Sequence, residues 1–332
     1  MTTLQKLWQR GCDFLGTEAA ILGGAMSWVS ERHLVSAISN AGGFGVIACG
    51  AMPVDLLDHE IKATQSLTSK PFGVNLITMH PQLMELIDVC VNNKVSHIVL
   101  AGGLPPADAI AKIKAANIKL MCFAPTLTLA KKLIRLGVDA LVIEGNEAGG
   151  HIGPVSTSVL TQEILPHITE VPVFVAGGIG RGETIANYLL MGASGVQLGT
   201  RFVCATECQA HPAFKKAFLR ASARDAIASV QLDSRLPVIP VRALQNAASI
   251  KFAEFQRDMI VKLDQGSIDL KDAQLEVEHF WGGALRRAVV EGDVENGSVM
   301  AGQSVGMVKE EQSTQGILSE LVAQAATFLS RG

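Results

Sequence analysis

The sequence predicts an α/β fold: a (β/α)8 TIM barrel carrying a mostly helical insertion after its eighth strand. Three observations predict it. Short apolar runs recur at intervals along the first two-thirds of the chain. Amphipathic stretches separate them, and glycine-rich turns follow them. Strand–helix repeats favour a parallel sheet, and parallel strands covered on both faces are apolar along their whole length. Eight such units in roughly 200 residues fit a closed barrel better than an open doubly wound sheet.

The strand-like runs are residues 20–23, 44–48, 72–77, 97–101, 119–123, 140–143, 171–176 and 195–199. Helical patterns fill the gaps at 31–41, 53–67, 81–93, 106–116, 128–136, 156–167 and 182–191. Pro53, Pro81 and Pro106 open three of them, where a fixed φ and a missing N–H suit a first helical turn. Thr128 and Ser156 open two more with side-chain oxygens suited to a helix start. Gly42, Asn93, Gly137 and Gly192 follow helical stretches and suit their C-terminal caps. Residues 1–204 thus read as the barrel. From 205 to 297 the rhythm changes to a mostly helical insertion, interrupted by the apolar run 236–241, which would cap the barrel mouth. Residues 298–332 supply the closing helix, 314–329.

Composition narrows the function classes. Hydrophobic residues make up 48% of the chain and charged residues 18%, a charge share below that of an ordinary soluble domain. The deficit points to extensive buried surface and to a homodimer. With a net charge of −3 and no basic stripe, nucleic acid is not an expected partner. The first 16 residues mix charged and apolar side chains and do not read as a signal peptide. No apolar run approaches the roughly 18 residues of a membrane span, so the cytoplasm is the expected location. Six cysteines lie at 12, 49, 90, 122, 204 and 208, without the second close pair that a structural zinc site needs. Cys49 and Cys122 fall in or beside strand-like runs and read as core thiols.

A barrel enzyme places its chemistry at the C-terminal ends of its strands. Val175-Ala-Gly-Gly-Ile-Gly180 and Gly195-Val-Gln-Leu-Gly-Thr-Arg-Phe202 end the last two runs. Glycines there let backbone N–H groups approach a phosphate, and Thr200 adds a hydroxyl. The sixth run leads into Glu144-Gly-Asn-Glu-Ala-Gly-Gly-His-Ile-Gly153. His151, in that glycine-rich turn, is the side chain best matched to proton transfer near neutral pH. His33, His59, His80, His97 and His167 read as structural. Glu144 or Glu147 could hydrogen-bond His151 or a ligand hydroxyl, and the Asn75 amide could bond the polar edge of a flat ligand.

These segments resemble the nitronate monooxygenase family, formerly 2-nitropropane dioxygenases, with FabK-type flavin-dependent enoyl-acyl carrier protein reductases. The resemblance is carried by Gly24-Ala-Met-Ser-Trp-Val29, Ser39-Asn-Ala-Gly-Gly-Phe-Gly45, Lys70-Pro-Phe-Gly-Val-Asn75, residues 144–153, Ala176-Gly-Gly-Ile179 and Gln197-Leu-Gly-Thr-Arg-Phe202. It implies non-covalently bound FMN, its phosphate at Gly177, Gly178, Gly199 and Thr200 and its ring near Met26, Asn75 and His151. Gly24, Ala25, Glu144, Gly149, Gly150, Ala176 and Gln197 lie in the same motifs and complete the expected cofactor-binding set. Within the family, Ile152-Gly153 after His151 resembles the FabK branch, as do Ala210-His-Pro212, residues 240–246, 283–294 and 297–303. Two positions depart from the usual pattern: Ala20 stands where the family has proline, and Gly23-Gly-Ala25 where it has Gln-Gly-Gly.

The resemblance implies an NAD(P)H-dependent reductase. NADH or NADPH would reduce FMN, and hydride would pass to an enoyl thioester, for example one on an acyl carrier protein, with His151 or water that it orders supplying the proton. The alternatives within the family are oxidation of alkyl nitronates with O2 and NAD(P)H:quinone reduction. A non-catalytic nucleotide-binding barrel is the alternative from another class.

Overall fold

A computed structural model describes residues 1–50, 52–236, 240–280 and 283–331. The chain opens with α1 (Thr3–Leu15). The strands are β1 (Ile21–Gly23), β2 (Phe44–Ala48), β3 (Phe72–Ile77), β4 (His97–Ala101), β5 (Lys119–Phe123), β6 (Ala140–Glu144), a two-residue β7 (Gly150–His151), β8 (Val173–Ala176) and β9 (Gly195–Leu198). All but β7 close into a parallel barrel in the order β1-β2-β3-β4-β5-β6-β8-β9, with Leu22 opposite Gln197 at the seam. Each of the eight apolar runs is a barrel strand, matched to within two residues at either end. Their side chains are almost all buried, because barrel packing covers one face and the outer helices cover the other.

The connecting helices are α2 (Arg32–Asn40), α3 (Val54–Leu67), α4 (Leu83–Asn92), α5 (Ala107–Ala115), α6 (Leu127–Arg135), α7 (Thr157–Ile164) and α8 (Gly182–Leu190). After β9 come a short α9 (Thr200–Val203), α10 (Pro212–Arg220), strands β10 (Ala226–Ala228) and β11 (Val241–Leu244), and helices α11 (Ala247–Asp264), α12 (Leu270–Phe280) and α13 (Ala284–Arg286). The insertion is helical as expected, but it also contributes two strands. These form a small sheet with β7, in the order β10-β11-β7. Residues 237–239 of the apolar run 236–241 lie outside the described residues, and its last residue opens β11. Leu236, Phe252, Met259, Ala273 and Val277 form a second apolar cluster, separate from the main core.

Two helices seal the barrel. The last, α14 (Thr314–Leu329), packs on α8 so closely that a Cβ at Gly182 would lie 2.1 Å from the Leu321 carbonyl oxygen. The buried Arg201 ties it down, with hydrogen bonds to Glu320 (2.9 Å) and to the Met307 carbonyl (3.1 Å). At the N-terminal ends of the strands α1 covers the floor. Leu4, Trp8, Cys12 and Leu15 form its buried stripe, and Thr2 and Gln5 make a capping box. Phe14 sets its ring edge-on to His97, and its carbonyl receives the His97 Nε2 at 2.9 Å. His97 is therefore structural, as its sequence position suggested.

Burial holds the His97 imidazole down to a pKa of about 4, against an ordinary value of 6.5. The folded state therefore binds fewer protons than the unfolded state between these values. The stability that His97 contributes is complete above about 6.5 and is lost as pH falls towards 4. The difference in urea midpoint between wild type and His97→Asn should shrink across that window and level off below it.

Candidate active site

Beyond Glu144 the chain turns sharply inside the barrel mouth. Gly145 donates to the Ala176 carbonyl at the end of β8 (3.1 Å), and Asn146 donates to Val155 (2.8 Å). The chain then pairs as β7 with β11, His151 opposite Val241 and Gly150 opposite Arg242. Ile152 donates to the Pro240 carbonyl (2.9 Å), extending the ladder. Arg242, 8% exposed, donates through Nε to the Asn146 carbonyl (2.8 Å). His151 is thus positioned by backbone pairing and by an arginine under its own loop.

The expectation that Glu144 or Glu147 would hold His151 is not met. The Glu147 carboxylate accepts from the Thr157 N–H (2.7 Å) and from the Thr157 hydroxyl, so it caps the start of α7. The His151 ring and the Glu144 carboxyl make no hydrogen bond to the described residues. Burial acts on both in the direction of neutrality. It lowers the His151 pKa below its ordinary value, although the side chain is exposed at the mouth, and it raises that of Glu144 to about 8. At neutral pH the site therefore presents a neutral imidazole and a protonated carboxyl.

The phosphate motif forms a backbone cradle. Ala176 is buried at the end of β8, and Gly177 and Gly178 follow with φ of +95° and +73°, conformations that favour glycine. Met26, in the loop after β1, covers the end of β9: its sulfur lies 3.3 Å from where a Cβ of Gly199 would stand. Gly24 donates to the Leu198 carbonyl (2.8 Å) and lies against the Gln197 side chain, with Ala25 beside it, partly buried. The residues after β1, β6, β8 and β9 thus meet on one side of the mouth. Asn75 lies on β3, across the barrel, and its Nδ2 donates to the Val99 carbonyl (3.2 Å). One donor of the amide is engaged in the wall, so its Oδ1 is the more available group for a ligand edge.

Sequence reasoning passed over one contributor. Residues 301–303, read from sequence as part of a FabK-like segment before the closing helix but not as part of the site, thread between the β6 loop and β9. Gly302 donates to the Thr200 hydroxyl oxygen (3.0 Å), and Gln303 donates to the Glu147 carbonyl (2.9 Å). A Cβ at Gly149 would lie 2.6 Å from the Gly302 nitrogen. Met300 continues this contact, bridging to Ala243 of β11, with its sulfur beside Gly150. The available signal was the run of small residues Ala301-Gly-Gln-Ser304, whose close approach would suit a backbone junction. The cysteines take no part: all six are buried and free. No group of metal-ligating side chains occurs among the described residues.

Comparison with known proteins places this arrangement. The nitronate monooxygenase family model matches residues 9–90 and 82–324. The structure of FabK from Thermotoga maritima superposes with a TM-score of 0.87 at 35% identity, covering 97% of each chain. A nitronate monooxygenase of Paraburkholderia phytofirmans is 31% identical over 67% of this chain and 73% of its own. The (3aS,4S,5R,7aS)-5-hydroxy-7a-methyl-1-oxo-octahydro-1H-indene-4-carboxyl-CoA dehydrogenase of Rhodococcus jostii is 29% identical over 94% of each chain.

The raised pKa of Glu144 has a measurable consequence. Between 4.5 and about 8 the folded state binds a proton that the unfolded state releases, so this group's contribution to stability falls as pH rises through the window. Glu144→Gln keeps the shape without the titration. In ligand-free protein, the denaturation midpoint of Glu144→Gln should gain on wild type steadily from pH 4.5 to 8. Parallel curves would show a carboxyl with an ordinary pKa.

Proposed function

The chain belongs to the nitronate monooxygenase family of flavin-dependent oxidoreductases, and from that premise we propose that it is an FMN-dependent NAD(P)H reductase of enoyl thioesters. The observation that carries the reading is the end-to-end likeness to FabK. A match over 97% of both chains extends into the insertion whose strand β11 holds His151. The Rhodococcus relative, named for an acyl-CoA substrate, supports a thioester from a second direction.

The residues present fit FMN. At Gly177 and Gly178 a Cβ would press on the β6 loop, 2.9 Å from the Gly145 carbonyl oxygen and from the Glu147 Cβ respectively, so only glycine lets the two loops meet there. With Gly199 and Thr200 they would hold the phosphate through backbone N–H groups and a hydroxyl. Ala176 and Gln197 close that end. Gly24, Ala25 and Met26 would line the ring on one side, and Asn75 would offer its carbonyl on the other. Gly149 and Gly150 let the β6 loop approach a flat ligand without side-chain obstruction. Glu144, unpaired in the mouth, would satisfy its protonated carboxyl on a ligand carbonyl or hydroxyl. When bound, FMN supplies the hydride chemistry between a nicotinamide and an electron-poor carbon.

The protein's own contribution lies around that transfer. Hydride addition at the β-carbon of an enoyl thioester builds negative charge on the thioester oxygen, and a proton must reach the α-carbon. A neutral imidazole is a poor acid toward carbon but a good N–H donor, so His151 polarises the thioester carbonyl and orders the water that delivers the proton. The β7–β11 pairing keeps the ring at one height above the cradle. The insertion would exclude bulk water and receive the acyl chain of a coenzyme A or acyl carrier protein thioester. The match to nitronate monooxygenases supports a second reading, oxidation of nitronates with O2.

Anaerobic reduction separates the two. NADH or NADPH should bleach the flavin of the holoprotein, and crotonyl-CoA should restore its colour. If neither nicotinamide bleaches the flavin while propionate 3-nitronate does, the monooxygenase reading replaces this one. His151→Gln should retain flavin and lower thioester turnover by roughly 100-fold or more.

A further inference from the structure

Trp28 is unusual in two respects. Its φ of +66° lies in the left-handed region, which bulky side chains avoid. Its side chain is 51% exposed, although it belongs to the loop after β1 that lines the mouth. The neighbouring backbone imposes the conformation. Val29 and Ser30 both donate to the Met26 carbonyl (2.9 and 2.8 Å). The Ser30 hydroxyl donates to the Gly24 carbonyl (2.8 Å) and accepts from the Met26 N–H (3.0 Å). The turn that lays Met26 over Gly199 therefore turns the indole out to the rim. Glycine would form this turn with less strain, and an exposed ring adds little to the core. Strain of this kind persists where a side chain serves a site.

Across from it stands Arg286, at the end of α13. Its guanidinium carbon lies 5.7 Å from the Trp28 ring centroid, within reach of a cation–π contact. One guanidinium nitrogen is engaged by Glu291, and Arg287 follows directly, its Nη2 3.5 Å from the Asn296 carbonyl. The guanidinium lies over one face of the indole, and about half of the residue stays exposed. The loop after β1 thus offers a partly exposed aromatic plane beside Arg286.

We infer that Trp28 and Arg286 form a subsite for adenosine diphosphate, the indole stacking on the adenine and the arginine engaging the diphosphate. Nicotinamide dinucleotides and coenzyme A share that group, whereas the phosphopantetheine arm of a carrier protein lacks the adenine. The inference rests on the proposed reductase reading for what the far end of the ligand does, and on the rim alone for what is bound here. A flexible diphosphate-linked ligand anchored at the rim can drop its reactive end into the mouth beside His151.

Calorimetric titration of the flavin-loaded protein with ADP tests the subsite without turnover. Saturable binding is expected, weakened about 10-fold or more in Trp28→Gly and largely retained in Trp28→Phe. Glycine suits the positive φ, so this variant keeps the turn, and retained flavin absorbance verifies it. Arg286→Ala should weaken binding and reduce its dependence on salt. The KM values then identify the source. A rise for NADH or NADPH alone in Trp28→Gly assigns the subsite to the nicotinamide donor. A rise for crotonyl-CoA, with the adenine-free crotonyl-N-acetylcysteamine unaffected, assigns it to coenzyme A. Absence of ADP binding, equal affinity in wild type and Trp28→Gly, or KM values unmoved for both ligands would overturn the inference. A wild type that binds ADP but is not reduced by either nicotinamide would count against the reductase reading alone.

Discussion

Backbone pairing between Gly150–His151 and Val241–Arg242 joins the barrel to the segment that follows its last strand, and the geometry of the mouth depends on it. Two residues of strand cannot hold a loop by themselves, so the ladder is reinforced from both sides. Ile152 continues it onto Pro240, while Arg242 donates through Nε to the Asn146 carbonyl. From β11 the order propagates outward. Ala243 bridges to Met300, and residues 301–303 then run between the β6 loop and Thr200. The loop bearing His151, the loops after β8 and β9 and the approach to the closing helix are one connected backbone structure.

Charge in this region follows from the same packing. Arg242 is buried without an ion pair among the described residues, and its donors go to the carbonyls of Asn146 and Ala226. Burial lowers its pKa and the field of Glu147 partly offsets that, so Glu147 steadies the arginine at a distance while capping α7. The Thr157 hydroxyl lies between Glu147 and the Gly177 carbonyl (3.2 Å), linking the His151 loop to the phosphate loop.

The barrel was legible because its signal is local. A strand buried on both faces must be apolar throughout, and β2, β3, β4 and β5 begin and end where their runs do. The glycine motifs were legible for a similar reason, since φ values near +95° and +73° leave few residue choices at Gly177 and Gly178. Helix α1 also carried a readable pattern, Leu4, Trp8, Cys12 and Leu15, that a search for targeting segments passed over. By contrast β7, β10 and β11 span two to four residues, too few to show a period, and exist only through partners distant in sequence. The role of Glu147 was hidden likewise. Its partner Thr157 lies a full turn of loop away, and a carboxylate beside a candidate base reads as its companion until the geometry shows it capping a helix.

The electrostatic character of the mouth bears on which substrate it suits. Burial pushes His151 and Glu144 in opposite directions on the pH scale, yet to the same outcome, since each is driven towards its uncharged form. A mouth tuned in this way offers hydrogen-bond donors without a mobile charge at the reacting end. An anionic nitronate would have to leave water for surroundings where the nearest side chains are neutral, with Arg242 already committed to backbone carbonyls. A thioester enters uncharged and develops charge only as hydride arrives. Under the proposed reading, an N–H donor at His151 would then stabilise the transition state more than the bound substrate, which is the condition for catalysis.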